Sequence, residues 1–152
     1  MLHWLMKSEP TDISIGDLAQ APSQRMSWQG IRNYQARNFM RDRMQPGDRA
    51  LFYHSSCAEP GIVGVVEIVT PSYPDPSQFD PSSRYFDARA TPEQARWFSV
   101  DIALVRTCEL LGLKALREVA DLAGMRLLAK GNRLSIMPVE PDEWRVIGRL
   151  LK

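Results

Sequence analysis

The sequence predicts an α+β domain, a small mixed β-barrel of about six short strands with helices packed outside it. Three observations carry that expectation. Strand-like and helical runs are interspersed along the chain and unevenly connected. One run, Ile62-Val63-Gly64-Val65-Val66-Glu67-Ile68-Val69, is β-branched nearly throughout, the composition of a strand buried on both faces. With 152 residues and no internal repeat, the chain is long enough for one well-buried core, so a single domain over 1–152 is expected.

Taken in order, Leu2–Met6 reads as a first strand, ended at Lys7-Ser8-Glu9-Pro10, where Pro10 pushes Glu9 extended and donates no ladder bond. Ser8 and Glu9 therefore fall at a strand end. Ser14–Leu18 has the pattern of a capped helical turn with Ile15 and Leu18 inward, and Arg25–Trp28 that of a second short strand. Gly30 lets the chain turn; from Asn33 onward Ala36, Phe39, Met40 and Met44 recur at helical spacing, with Asn33 as N-cap. Gln45-Pro46-Gly47-Asp48 stops that helix in a tight turn, Arg49–His54 is strand-like, and Ser55–Gly61 is a polar loop leading into Ile62–Val69. Gly64 inside that strand marks a bulge or a close backbone approach. Pro71–Pro92 holds five prolines and no periodicity, which predicts a long structured loop with Asp75 and Asp80 as solvated carboxylates. Trp97–Val105 alternates, placing Phe98, Val100, Ile102 and Leu104 on one face of a half-buried antiparallel strand. Leu113–Ala123 reads as one helix closed by Gly124, Lys130-Gly131-Asn132 as a turn, and Arg133–Val139 as a last strand. Pro141 opens a terminal helix whose Trp144, Ile147, Leu150 and Leu151 form an apolar stripe.

Composition excludes several classes. Hydrophobic residues at 44% and charged residues at 24% are ordinary for a globular chain and unlike disordered or fibrous ones. No run approaches the roughly 18 apolar residues of a membrane span. Met1–Met6 is too short for a signal-peptide core and has no basic region before it, so a cytoplasmic protein without membrane contact is expected. Cys57 and Cys108 form no CxxC and read as free thiols. A net charge of +1 announces no long electrostatic track. The charge is uneven, however: Arg25, Arg32, Arg37, Arg41, Arg43 and Arg49 share their stretch with only Asp42 and Asp48. Such a patch suits a few phosphate contacts, although a solvated helix face explains the spacing equally well.

The densest chemistry lies in Ser27–Phe39, which brings an indole, two guanidiniums, four side-chain amides and a phenol to a strand-to-helix junction. A helix N-terminus with its partial positive charge beside Trp28 suits a planar, polar, phosphate-linked ligand such as a nucleobase. Ser8, Trp28, Asn33, Tyr53, His54 and Ser55 all fall at strand ends or junctions, where rings can stack on a base and short polar groups can read its edge. Each has a core alternative. Tyr53 and Phe52 point to opposite faces, so one of them is core, and His54 reads also as a structural histidine. The only compact set of metal-ligand types is His54 with Cys57, too few for zinc, so no metal or cofactor is expected. The same two residues lack a third, orienting group and sit on one loop, which gives poor geometry for nucleophilic attack. Neither GxGxxG nor a Walker pattern occurs.

Lys7-Ser8-Glu9-Pro10, Trp28–Asn38, Gly47-Asp48, Tyr53–Cys57, Gly61–Gly64, Tyr73-Pro74-Asp75 and Gly131–Ser135, in this order, resemble the EVE domain family over nearly the whole chain. The resemblance implies a PUA-like fold, a mixed β-barrel flanked by helices and related to YTH and ASCH domains, with a pocket for a modified base in DNA or RNA. It implies that Trp28 stacks, that Asn33 reads a base edge or anchors its helix, that Ser8, His54 and Ser55 line the wall, and that Arg32 or Arg37 meets a phosphate. Gln29 departs from the pattern, since that position is commonly acidic in the family. The expected function is a non-catalytic module recognising a modified nucleobase in RNA or DNA. Two alternatives stay open: a small enzyme acting on a nucleotide or nucleobase derivative through His54 and Cys57 with Asp101 as helper, and a protein-interaction module using the Pro-rich loop.

Overall fold

A computed structural model describes residues 1–152. It contains seven strands: β1 (His3–Ser8), β2 (Arg25–Trp28), β3 (Arg49–His54), β4 (Gly61–Ile68), β5 (Tyr73–Pro74), β6 (Phe98–Gly112) and β7 (Ile136–Pro138). Four α-helices accompany them: α1 (Ile15–Gln20), α2 (Tyr34–Asp42), α3 (Leu113–Arg117) and α4 (Pro141–Leu150). The strands hydrogen-bond in the order β2-β6-β4-β3-β1-β7, with β5 added to β6. β1 pairs parallel to β3 and every other pairing is antiparallel. No ladder returns from β7 to β2, so the mixed barrel is an open one, a seven-stranded mixed sheet flanked by the helices as expected. The edges are short, four residues in β2 and three in β7, and Pro138 has no N–H to extend a ladder. α2 packs against both β6 and β7 and so bridges the seam.

Alternation along the central strands explains why the sheet is buried on both sides. Trp4 and Met6 of β1 and Ala50 and Phe52 of β3 join one core with Trp28, Ala36 and Met40. Leu5, Leu51 and Tyr53, one position out of phase, join a second core with Leu116, Leu122 and Ile147. Both Phe52 and Tyr53 are thus core. β4 is buried nearly throughout, and the register shifts beside Gly64. A Cβ there would lie 2.7 Å from Ile15 Cδ1 and 2.9 Å from the Arg106 carbonyl oxygen, so glycine admits α1 to the sheet.

Three elements differ from the sequence expectation. β6 continues past Val105 to Gly112, because Arg106, Thr107 and Leu111 still pair with β4 although their side chains lose the apolar alternation. The single helix expected over Leu113–Ala123 ends at Arg117; Val119 is extended at φ −90°, ψ 111°, and a 3-10 turn follows at Ala120–Leu122. This break turns Leu122 and then Met125 into the second core. Gly124 is accordingly no left-handed cap, a conformation held by Gly30, Gly47 and Gly131. The last strand shortens to Ile136–Pro138.

Candidate functional site

Trp28 ends β2, and Gly30 turns the chain toward α2 at φ +87°. The turn is fixed by Asp75, which is fully buried rather than solvated as expected. Its carboxylate accepts from four donors: Gly30 N at 2.9 Å, Ser77 N at 2.8 Å, Ser77 Oγ at 2.6 Å and Arg32 Nη1 at 3.2 Å. Arg32 also donates to the Tyr85 carbonyl at 2.6 and 3.1 Å and to the Ile31 carbonyl at 2.7 Å, with its guanidinium 5.3 Å from the ring centroids of Tyr85 and Trp97. The Pro-rich loop is pinned from within by buried Gln78, whose amide donates to the carbonyls of Asp75 and Trp97 and accepts from the N–H groups of Arg96 and Trp97. The loop therefore presents Tyr85 at a fixed place. A Cβ on Gly30 would come within 2.6 Å of the Tyr85 ring, so only glycine lets that ring seat.

The result is a cleft of about 740 Å³ framed by the end of β1, the Trp28–Ile31 turn, the Ser55-Ser56 loop and Tyr85. Ser55 N donates to the Ser8 carbonyl at 2.9 Å, holding the two hydroxyl-bearing residues together at the wall. Trp28 is only 3% exposed and packs edge-on against Phe52 at 5.6 Å, so it is core and cleft wall at once and offers no open ring face. Tyr85 is half-buried; its hydroxyl donates to Asp12 Oδ2 at 2.8 Å, and Asp12 pairs with Arg84 at 3.0 Å. Lys7, Arg84 and Arg133 face Glu9 and Asp12 around the cavity, a mixed rather than uniformly basic lining. Burial pulls the Lys7 ammonium below its usual pKa. Burial, reinforced by the bond to Asp12, pushes the Tyr85 phenol up.

Of the residues proposed from sequence, the structure brings Ser8, Trp28 and Ser55 together at this cleft. Asn33 caps α2, accepting from Ala36 N at 3.0 Å, and lines a neighbouring groove instead. Tyr53 is 2% exposed in the second core because strand alternation turns it away from the face Phe52 takes. His54 Nε2 accepts the N–H of Ile15 at 3.1 Å, and burial holds its imidazole below the ordinary pKa. That lone pair satisfies the first turn of α1 and is closed to Cys57. Asp101 accepts from the Tyr73 hydroxyl, on β6 and apart from the cleft lining. Arg32 is a clamp rather than a phosphate ligand, its donors spent on Asp75, Ser77 and two carbonyls. Arg37 lies outside the cleft, donating to the Arg96 carbonyl at 3.0 Å with its guanidinium 4.7 Å from the Tyr34 ring centroid.

Sequence reasoning did not select Asp12, Arg84 and Tyr85. Their assembly depends on a contact 73 residues apart between Asp12 and Tyr85, for which the only sequence signal was the length of the Pro-rich loop. Lys7, Glu9, Asn132 and Arg133 also line the cleft; they lie in two of the motif segments that carry the family resemblance, the signal that points to them in the sequence.

Comparison with known proteins adds to this geometry. The EVE domain matches residues 2–150. Thymocyte nuclear protein 1 of Gallus gallus is 41% identical over 160 residues, covering 93% of this chain and 65% of the chicken protein, so the chain spans just under two thirds of that relative's length. A crystal structure of a Pseudomonas putida protein is similar with a TM-score of 0.92 at 49% identity, covering 97% of this chain and 98% of that one. The crystal structure of human THYN1 protein in complex with 5-methylcytosine-containing DNA is similar with a TM-score of 0.93 at 38% identity, covering 99% of this chain and 97% of that one.

Proposed function

The chain belongs to the EVE domain family, and from that premise we propose that it is a non-catalytic module that binds DNA by taking one modified cytosine into the cleft at Ser8, Trp28, Ser55 and Tyr85. The observation that carries this reading is the lining of the cleft itself. Apolar surface from Ile13, Ile31 and the Trp28 edge lies beside hydroxyls, an ammonium and a carboxylate. A pyrimidine needs these together: apolar surface for a ring methyl, a carboxylate such as Glu9 to accept from an exocyclic amino group, and donors such as Lys7 or the serines for ring acceptors. The human relative solved with 5-methylcytosine-containing DNA supports the same ligand class. Extruding a base costs a few kcal/mol and stacking returns about 1–3 kcal/mol per base, so the free nucleoside binds weakly and strand contacts supply the rest. The enzyme alternative through His54 and Cys57 lacks a free base, since Ile15 N–H occupies His54 Nε2.

The test is a fluorescence-anisotropy titration with labelled oligonucleotides differing only in one 5-methylcytosine, using wild type and Ser55→Trp, which fills the cleft from a loop. Tighter binding of the modified oligonucleotide, lost in the variant, is expected. Equal affinity for both oligonucleotides, or a preference that survives a filled cleft, overturns the reading.

A further inference from the structure

Next to the cleft runs a second groove, of about 430 Å³, bounded by Asn33 and Gln35 at the start of α2 and by the loop from Arg126 to Leu134. The two cavities are contiguous, sharing Asn132 and Arg133 in their walls. The groove contains three cations, Arg126, Lys130 and Arg133, and no carboxylate. All three are exposed and none forms an ion pair. Arg32 and Arg84 near the cleft, by contrast, are ion-paired, with Asp75 and Asp12 respectively.

The groove is also built to hold its shape. Asn132 donates to the Arg126 carbonyl and accepts from Leu134 N at 2.8 Å, closing the loop on itself, while Gly131 takes φ +77° at the turn. The amide of Asn132 is thereby committed, making it a positioning residue rather than a base reader. Across the groove, Asn33 caps only the N–H of Ala36, so the N–H groups of Tyr34 and Gln35 have no partner within the nine-residue helix and add partial positive charge.

We propose that this groove carries the phosphodiester backbone of the strand whose modified base enters the cleft, with Arg126 and Lys130 as the phosphate contacts and Arg133 at the junction. The inference rests on the functional reading above and adds the strand's path: a nucleotide held by its base at Ser8 and Ser55 leaves along Arg133 toward Lys130. A short fixed track also fits a chain whose net charge is only +1.

The test measures the affinity of a single-stranded oligonucleotide containing 5-methylcytosine over a range of salt, and in parallel the binding of free 5-methyl-2′-deoxycytidine by NMR. Both use wild type, the double variant Arg126→Ala/Lys130→Ala, and Arg126→Lys/Lys130→Arg. The double alanine variant should lose about tenfold in oligonucleotide affinity at low salt. It should also flatten the log–log salt slope by about 1.4, at about 0.7 per phosphate contact, leaving nucleoside shifts unchanged. The charge-retaining variant should restore both slope and affinity. An unchanged slope and affinity in the double alanine variant overturns the groove while leaving the cleft intact if Ser55→Trp still abolishes the preference for the modified base. Loss in the double variant with no effect of Ser55→Trp keeps the groove and removes the cleft reading. No binding of either probe by wild type overturns both.

Discussion

Asp75 sits where the β2–α2 turn, the Pro-rich loop and the Arg32 guanidinium meet, and it has no solvent to share the work of its four donors. Asp75→Ala leaves Arg32 without its carboxylate and Gly30 N–H without an acceptor in a dry site. Breaking a buried charged contact from one side is expected to cost about 3 kcal/mol. Urea denaturation should show that loss as a lower midpoint with an unchanged slope; a midpoint within experimental error of wild type contradicts the account. Sequence alone misread this residue for a definite reason. A carboxylate amid prolines is usually solvated, and the groups that bury Asp75 arrive from 43 and 45 positions earlier in the chain. The same distance hid the role of Arg32, whose basic character was legible but whose partners were not. Ser8 and Ser55 were legible because ends of apolar strands are visible locally.

At the scale of elements, α1 has only six residues, too few to persist by its own propensity. Ser14 and Asp17 cap it with reciprocal side-chain bonds, and His54 at the end of β3 takes the N–H of Ile15, joining helix to sheet. That bond requires a neutral Nε2, in keeping with a folded-state pKa held below 6.5 by burial. The sign follows by linkage. Above pH 6.5 the histidine is neutral in both states and its contribution is fully present. As pH falls toward the lowered folded pKa the unfolded chain binds the proton more readily, so stability is lost. Thermal midpoints measured from pH 8 to pH 5 should fall for wild type, and fall less steeply for His54→Gln, which keeps an acceptor that does not titrate. Parallel curves for the two proteins reject the role. Local pattern revealed α1, α2 and β4 because their caps and periodicity are contained within the elements. It merged α3 with the turn after it, because the extended Val119 is favoured by what Leu122 and Met125 reach in the second core, not by any breaker residue.

Across the whole molecule, Trp4 and Leu5 are neighbours in sequence yet belong to opposite cores, and the same strands carry both. Neither core has a sheet of its own, so the two should melt together. Met40→Ala in the first core and Leu116→Ala in the second should each remove about 2–5 kcal/mol. Each should shift a single transition in which tryptophan fluorescence and far-UV circular dichroism coincide. Two separated transitions in either variant refute this coupling. The mixed α+β class was readable from interspersed strand and helix runs. The open seam was not, because closure depends on whether two short edges meet, which no periodicity reports. The strand order has one more consequence, for biosynthesis. β1 lies between β3 and β7, and its partners begin at Arg49 and at Ile136. On the ribosome, Trp4, Leu5 and Met6 emerge long before β7 is made, so one edge of an intensely apolar strand waits bare while more than a hundred further residues are added. The β1–β7 ladder is therefore the last of the sheet to form, and until β7 arrives β1 keeps an open apolar edge of the kind chaperones cover.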